Sequence, residues 1–209
     1  MSLIFRLLLF SGLAAALSAQ PGGVVSVEEL RNPLKGKSLH AVLSAQKHLR
    51  SGQRERGLQE LREAMSDPAA IPYAMSMLGV EHLKASQLDV ALYELELAVR
   101  LLPGRSENHS NLAYVLFLKG QTARGIEEAR KALQLDPNRP KTRMVMGMLL
   151  LQQGAHETEA VQYLRTAAEE IPSARLILAK HYEGAGQKPE AEQERRAFTM
   201  TSMGLLAIE

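Results

Sequence analysis

A pattern of small and apolar residues returns along this chain about every 34 residues. One small residue marks the same place in each copy: Ala45, Gly79, Ala113, Gly147 and Ala179. The spacings between them are 34, 34, 34 and 32 residues. A unit of this length cannot bury its apolar face alone, so neighbouring units must stack on one another. The period therefore restricts the chain to a linear array of similar units.

The order of residues within a unit indicates two helices joined by a tight turn. In the copy at 106–139, Gly125, Ala129 and Ala132 fall at i, i+4 and i+7, on one face of a helix. Small residues at a helix crossing allow a close approach of about 8–9 Å. Gly120 suits the left-handed residue that ends the first helix, a place that Ser86 takes in the preceding copy. Proline then stops the second helix.

This arrangement resembles the tetratricopeptide repeat (TPR) family. The resemblance covers about residues 38–200, although Met75, His109 and Arg143 replace the aromatic residue that usually opens the first helix. It implies an all-α fold, a right-handed superhelix of about five helix-turn-helix units whose first helices line a concave face. We place units 1 to 5 at residues 38–71, 72–105, 106–139, 140–171 and 172–200, the fifth being a polar cap, followed by a tail at 201–209.

The N-terminus does not share the repeat pattern. Residues 1–19 contain one positive charge, Arg6, then an apolar run from Leu7 to Leu17 and small residues around Ser18. This predicts a cleaved signal peptide and an exported, periplasmic or secreted protein. An uncleaved anchor is the alternative, although the run is short for a span of about 20 residues. Residues 20–37 form a connector in which Ser26 to Leu30 is predicted to be a short capping helix.

Composition narrows the function further. The net charge is +2 from 25 basic and 23 acidic residues, which is not the basic footprint of a nucleic-acid-binding protein. There is no cysteine, so thiolate metal sites and a cysteine nucleophile are excluded. No motif for catalysis or phosphate binding is present. We therefore expect no enzymatic activity, no cofactor and no metal site.

Two histidines at equivalent positions are the one candidate for a metal. His48 and His82 lie a repeat apart, where the family usually has tyrosine. A stacked histidine pair binding a metal is one interpretation; the other is that imidazole replaces a phenol ring with one polar edge. No third ligand is suggested, so the second interpretation is favoured.

The TPR resemblance implies that the concave groove carries the function. Family groove positions, transferred residue by residue, give a candidate partner-binding set: Tyr73, Ser76, Val80, Glu107, Ser110, Tyr114, Phe117, Lys141, Met144 and Met148. Its centre is apolar and aromatic, which suits a helix or extended peptide with hydrophobic anchors. The same spacing is also that of ordinary packing between repeats; we expect Tyr114 and Met148 to be exposed in the groove.

The chaperone-tail clamp of some TPR domains is excluded by Ser76, Val80 and Val145, which occupy its basic and amide positions. The sequence thus predicts an exported scaffold that binds a protein or peptide partner. Two alternatives stay open: an accessory subunit of a cell-envelope enzyme, and a membrane-associated assembly factor held by the N-terminus or the apolar tail.

Overall fold

The computed structural model describes residues 34–206 of the chain, with side chains to residue 202. The predicted signal peptide and the capping helix of the connector lie outside these residues. Between residues 34 and 206 there are ten α-helices, one short 3-10 helix at Pro68–Ala70 and no strand. The helices are α1 Gly36–Arg50, α2 Arg54–Ala64, α3 Ile71–Lys84, α4 Leu88–Leu101, α5 Ser106–Leu118, α6 Thr122–Leu135, α7 Pro140–Gln153, α8 Glu157–Ala168, α9 Ala174–Gly184 and α10 Lys188–Leu206.

The helices pack as five consecutive pairs. Each odd-numbered helix has its most extensive contact with the helix that follows it, and each pair then packs on the first helix of the next. One buried core runs continuously from α3 through α10, and two smaller clusters lie beneath α1 and α2. The prediction of an all-α superhelix of stacked helix-turn-helix units is confirmed. A single pair of helices cannot enclose its own apolar residues, so the neighbouring pairs complete the hydrophobic core.

Small residues stand where helices cross, both within a unit and between units. A Cβ built on Gly79 would lie 2.6 Å from Leu95 Cγ in the same unit, and one on Gly125 would lie 2.6 Å from Leu149 Cδ2 in the next. Real Cβ atoms do not approach other carbon atoms so closely, so a side chain at either glycine would force the leucine or the helix crossing to shift. Ala45 and Ala113, at the places equivalent to Gly79, are fully buried.

The turns between paired helices use left-handed backbone. Gly52, Gly120, Gly154 and Gly186 have φ between 72° and 78°, the left-handed conformation that the sequence predicts for Gly120. Ser86 adopts the same conformation, with φ 62°, although it has a Cβ. The repeat therefore requires a left-handed residue at this turn, and Ser86 adopts that conformation at a cost in backbone energy.

The C-terminal helix is longer than the sequence pattern indicates. Helix α10 continues through six residues of the predicted tail and ends at Leu206. In the fifth unit Glu192 is exposed, whereas Glu194 is buried and accepts a hydrogen bond from Arg175. Of the helices in the described range, none combines the length and the apolar character that crossing a bilayer requires.

Candidate interaction surface

The predicted groove residues divide into an accessible group and a buried group. Tyr73, Ser76 and Val80 on α3, Glu107 at the start of α5 and Lys141 at the start of α7 are half-buried. They follow one another along successive first helices. These five residues form what we call the accessible groove.

The other five predicted groove residues are buried. Tyr114 is 5% exposed and Met148 is 3% exposed, and Ser110, Phe117 and Met144 are equally inaccessible. The expectation that Tyr114 and Met148 are exposed is wrong. Tyr114, Phe117, Met144 and Met148 belong to the main hydrophobic cluster. A partner cannot contact these four side chains without displacing that packing.

The reason lies in helices α5 and α7 themselves. Residues 112–118 and 144–151 contain no charged residue and place apolar or small side chains on every side of the helix. A helix that is apolar all round has no polar face to turn to water, and it is buried on all sides. This continuous apolar run is the sequence signal that identifies them as core.

The two aromatic residues of α5 pack on each other. The rings of Tyr114 and Phe117 stack with centroids 6.2 Å apart and an interplanar angle of 13°. Burial raises the pKa of the Tyr114 phenol above its usual value, because the ionised form loses its hydration. The pair therefore contributes to the core rather than to a binding face.

A buried amide connects the second and third units below the accessible groove. Asn108 is fully buried. It accepts a hydrogen bond from the Ser76 hydroxyl at 2.7 Å and donates one to the Ala98 carbonyl at 3.2 Å. Ser76 is therefore held in place by the next unit, and its hydroxyl is already used within the fold. Asn108 is a positioning residue that the sequence pattern did not single out.

Lys141 is the most perturbed charge of the accessible groove. Burial and, to a smaller extent, the neighbouring cations Arg139 and Lys84 together lower the pKa of its ammonium group to about 8, against the opposing effect of Glu107. Glu107 is already engaged, because it accepts a hydrogen bond from Arg139 at 2.8 Å. Among the described residues, no hydrogen bond or salt bridge reaches the Lys141 ammonium group.

Histidine and glutamate side chains join the two helices of the first three units. His82 Nδ1 lies 2.6 Å from Glu94, His109 Nδ1 lies 2.6 Å from Glu128, and His48 Nε2 lies 3.3 Å from Glu60. Burial opposes ionisation of Glu128, but the hydrogen bonds that it accepts from His109 and Lys131, together with the charges of these two residues, hold the pKa of that carboxyl below its usual value. These pairs stabilise helix crossings inside each unit.

His48, His82 and His109 are thus each paired with a carboxylate of their own unit. One ring nitrogen of His48 contacts Glu60, and one of His82 contacts Glu94, both on the second helix of the unit. The other ring nitrogen of His48 is 2.7 Å from the Gln53 side-chain oxygen. Over residues 34–202 there is no group of three or more histidine, aspartate or glutamate side chains placed to hold a metal ion. The favoured interpretation, imidazole as a ring with a polar edge, agrees with these contacts.

No family model matches the chain, and no curated protein matches its sequence. Solved structures do resemble its fold. The crystal structure of MamA superposes with TM-score 0.60 at 16% identity, over 78% of this chain and 96% of that one. MamA 41-end from Desulfovibrio magneticus RS-1 gives TM-score 0.63 at 13% identity, over 81% and 97%. TTC0263, a thermophilic TPR protein in Thermus thermophilus, gives 0.62 at 19% identity, over 78% and 90%. Such identities establish the architecture alone: the chain has the tetratricopeptide repeat fold.

Proposed function

We propose that this protein is an exported scaffold that binds a protein or peptide partner in the accessible groove and has no catalytic activity of its own. Export is inferred from the apolar run in residues 1–19. Partner binding is inferred from the repeat fold, which offers first-helix side chains along a concave face. The partner we propose differs from the apolar peptide expected from sequence, because the aromatic centre of the groove is buried.

The observation that carries the proposal is that the ammonium group of Lys141 is half-buried and has a lowered pKa. A half-buried ammonium group without a hydrogen-bond acceptor destabilises a fold, because part of its hydration is lost without replacement. Arg139 and Lys84 add repulsion. A partner that supplies an anionic group would relieve both costs, since a carboxylate near an ammonium group favours its charged form. Strongly shifted groups in clefts are common at functional sites.

The accessible groove then defines the chemistry of the partner. Val80 offers a small apolar contact on α3, and Lys141 offers a cation two units further along the array. Tyr73, near the start of α3, packs against Arg105, whose guanidinium carbon is 5.4 Å from the Tyr73 ring centroid. We infer a peptide or helix that presents a carboxylate to Lys141 and an aliphatic side chain to Val80.

Site-specific photocrosslinking tests this proposal in the native host. A benzoylphenylalanine at Val80 should form an adduct with a discrete partner, and the same residue at Glu127, on the exposed side of α6, should not. Lys141→Gln should reduce the Val80 adduct about tenfold, the effect of losing one charge-assisted contact of about 1.4 kcal/mol. Equal labelling from both positions, or none from Val80, would contradict a groove that binds a partner.

The crosslinked partner also separates the alternatives. A cell-envelope enzyme attached at Val80 would identify the accessory-subunit function. Adducts that form only when residues 1–19 remain on the chain would instead indicate a membrane-associated assembly factor. Buried residues such as Tyr114 are unsuitable for this experiment, because changes there act through the stability of the fold.

A further inference from the structure

The outer side of helix α4 carries an exposed apolar strip. Val90 is 46% exposed, Tyr93 is 62% exposed, Leu101 is 43% exposed, and Leu97 is half-buried between them. Their positions i, i+3, i+7 and i+11 place them on one side of the helix, over a length of about 16 Å. None of the four belongs to a buried cluster of the described core or packs against one. The strip is therefore not needed for internal packing.

The first three of these positions are polar in units 1 and 3, whereas the fourth is Leu135 in unit 3, which is 42% exposed. Unit 3 has Arg124, Glu127 and Lys131 where the strip has Val90, Tyr93 and Leu97, and unit 1 has Arg56, Gln59 and Glu63, all six exposed. The repeat fold thus accepts charged residues here, and charge is the ordinary choice for a solvated helix face. Unit 2 departs from that choice at three successive positions. An exposed apolar strip of this kind marks an interaction surface.

Charges along one border of the strip differ between its two ends. Asp89 lies at the N-terminal end and Arg100 at the C-terminal end, both exposed and on the same side of α4 as Glu96. Asp89 pairs with Lys119, and Glu96 accepts a hydrogen bond from Arg124 at 2.6 Å. No ion pair or hydrogen bond in the described part of the chain involves the Arg100 side chain. The border is therefore acidic first and basic last.

We propose that this strip is the contact between two copies of the protein, related by a two-fold axis that sets their α4 helices antiparallel. A two-fold contact uses the same patch on both copies, so the patch must complement itself. In an antiparallel pair the midpoint of the strip lies on the axis, and Tyr93 faces Leu97 of the other copy while Val90 faces its Leu101. The two ends of the charged border then meet.

Charge favours this arrangement over a parallel one. With antiparallel helices each Asp89 comes close to Arg100 of the other copy, and the contact occurs twice. In a parallel two-fold pair the two borders would lie on opposite flanks of the contact, so neither Asp89 nor Arg100 would gain a partner of opposite charge. The acid-first, base-last border is what a self-complementary surface requires. This self-association is independent of the groove function, because it uses the second helix of unit 2 rather than the first.

The experiment replaces the strip by the residues that unit 3 carries at the same places. The triple variant Val90→Arg, Tyr93→Glu, Leu97→Lys is made in the whole chain as purified from its host, and mass is measured by sedimentation equilibrium over a range of concentrations. We expect a monomer–dimer equilibrium for the unchanged protein and at least about thirtyfold weaker dimerisation for the variant. A control variant with Gln59→Glu and Glu63→Lys on α2 should dimerise as the unchanged protein does.

The charge arrangement has its own test. Asp89→Arg and Arg100→Asp should each weaken the dimer, and the double swap should restore it, because opposite charges then meet again. A monomer at every concentration would overturn self-association, and a dimer that the triple variant leaves intact would overturn the strip as its contact. Failure of the double swap to restore the dimer would overturn the antiparallel arrangement. Unchanged circular dichroism and melting of the triple variant exclude unfolding as the cause of any loss.

Discussion

Gly147 offers the sharpest test of how the repeats are packed. It lies in α7, where the helix crosses α8. A Cβ on this residue would lie 2.6 Å from Leu164 Cγ and 2.9 Å from the Ala160 carbonyl oxygen. The leucine side chain has room to adjust only by moving within a core where it is itself fully buried. The carbonyl belongs to the backbone of α8, so relief there requires the two helices to separate.

The expected change in stability follows from two opposing effects. Replacing glycine by alanine inside a helix ordinarily gains about 0.5–1 kcal/mol, because the unfolded chain loses conformational freedom. Overpacking at a tight crossing costs about 1–3 kcal/mol. For Gly147→Ala the contacts below 3 Å make the second effect the larger one. We expect a net loss of about 1–2 kcal/mol in the free energy of unfolding, or about 2–8 °C in Tm for a chain of this size.

Gly184 provides a matched control within the same array. It ends helix α9, has ordinary helical backbone, and a Cβ there would meet nothing within 4 Å. Gly184→Ala should therefore raise Tm, whereas Gly147→Ala should lower it. Both are measured by thermal unfolding monitored by far-UV circular dichroism, with urea titration for the free energy. If Gly147→Ala is neutral or stabilising like Gly184→Ala, close helix approach does not explain the regular spacing of small residues in this chain.

Four further expectations follow from particular residues. Above pH about 10 the unfolded chain ionises tyrosine while buried Tyr114 keeps its proton, so stability falls with rising pH and Tyr114→Phe should fall less steeply in urea titrations. Lys141 has a folded pKa of about 8 and an unfolded value near about 10.4, so the unfolded chain binds more protons between these pH values and stability rises there. Lys141→Met should therefore stabilise the fold at pH 7, and by less at pH 10. Ser86→Gly should gain about 1 kcal/mol by relieving its left-handed backbone, as read from the urea midpoint. Mass spectrometry of the protein from its host should find a mature start near Ala19, Gln20 or Pro21, and an intact Met1 in the cytosol would refute export.

Local spacing explains why the helical architecture was predictable. The positions of Gly79, Gly125 and Gly147 depend only on where two adjacent helices cross, and that is fixed within about 20 residues of sequence. The left-handed turns at Gly120 and Gly154 have the same local origin. Interactions of this range leave a periodic signal in one sequence, and the repetition confirms it.

The groove was less predictable because its exposure depends on contacts between units. Tyr114 and Ser76 both occupy groove positions of the family pattern, yet Tyr114 is buried and Ser76 is half-buried. The difference arises from the apolar residues that surround Tyr114 on α5, which the transfer of family positions ignores. The hydrogen bond from Ser76 to Asn108 joins residues 32 positions apart, and nothing in their spacing distinguishes it from a chance pair.

Unit 2 carries the strip and the first three residues of the accessible groove, and their placement on different helices has a consequence for binding. Val80 lies on α3, whereas Tyr93 lies on the outer side of α4. In a TPR fold the first helices line the concave side and the second helices the outer side, so a dimer formed through the strip leaves both accessible grooves open. Such a dimer holds two equal sites at fixed separation, and a partner with two matching segments gains affinity through effective concentration alone. The strip would then set the avidity of the scaffold, and Lys141 would set its choice of partner. Changes in the strip should leave the affinity of a single groove for its partner unaltered, and changes at Lys141 should leave the affinity of the dimer contact unaltered.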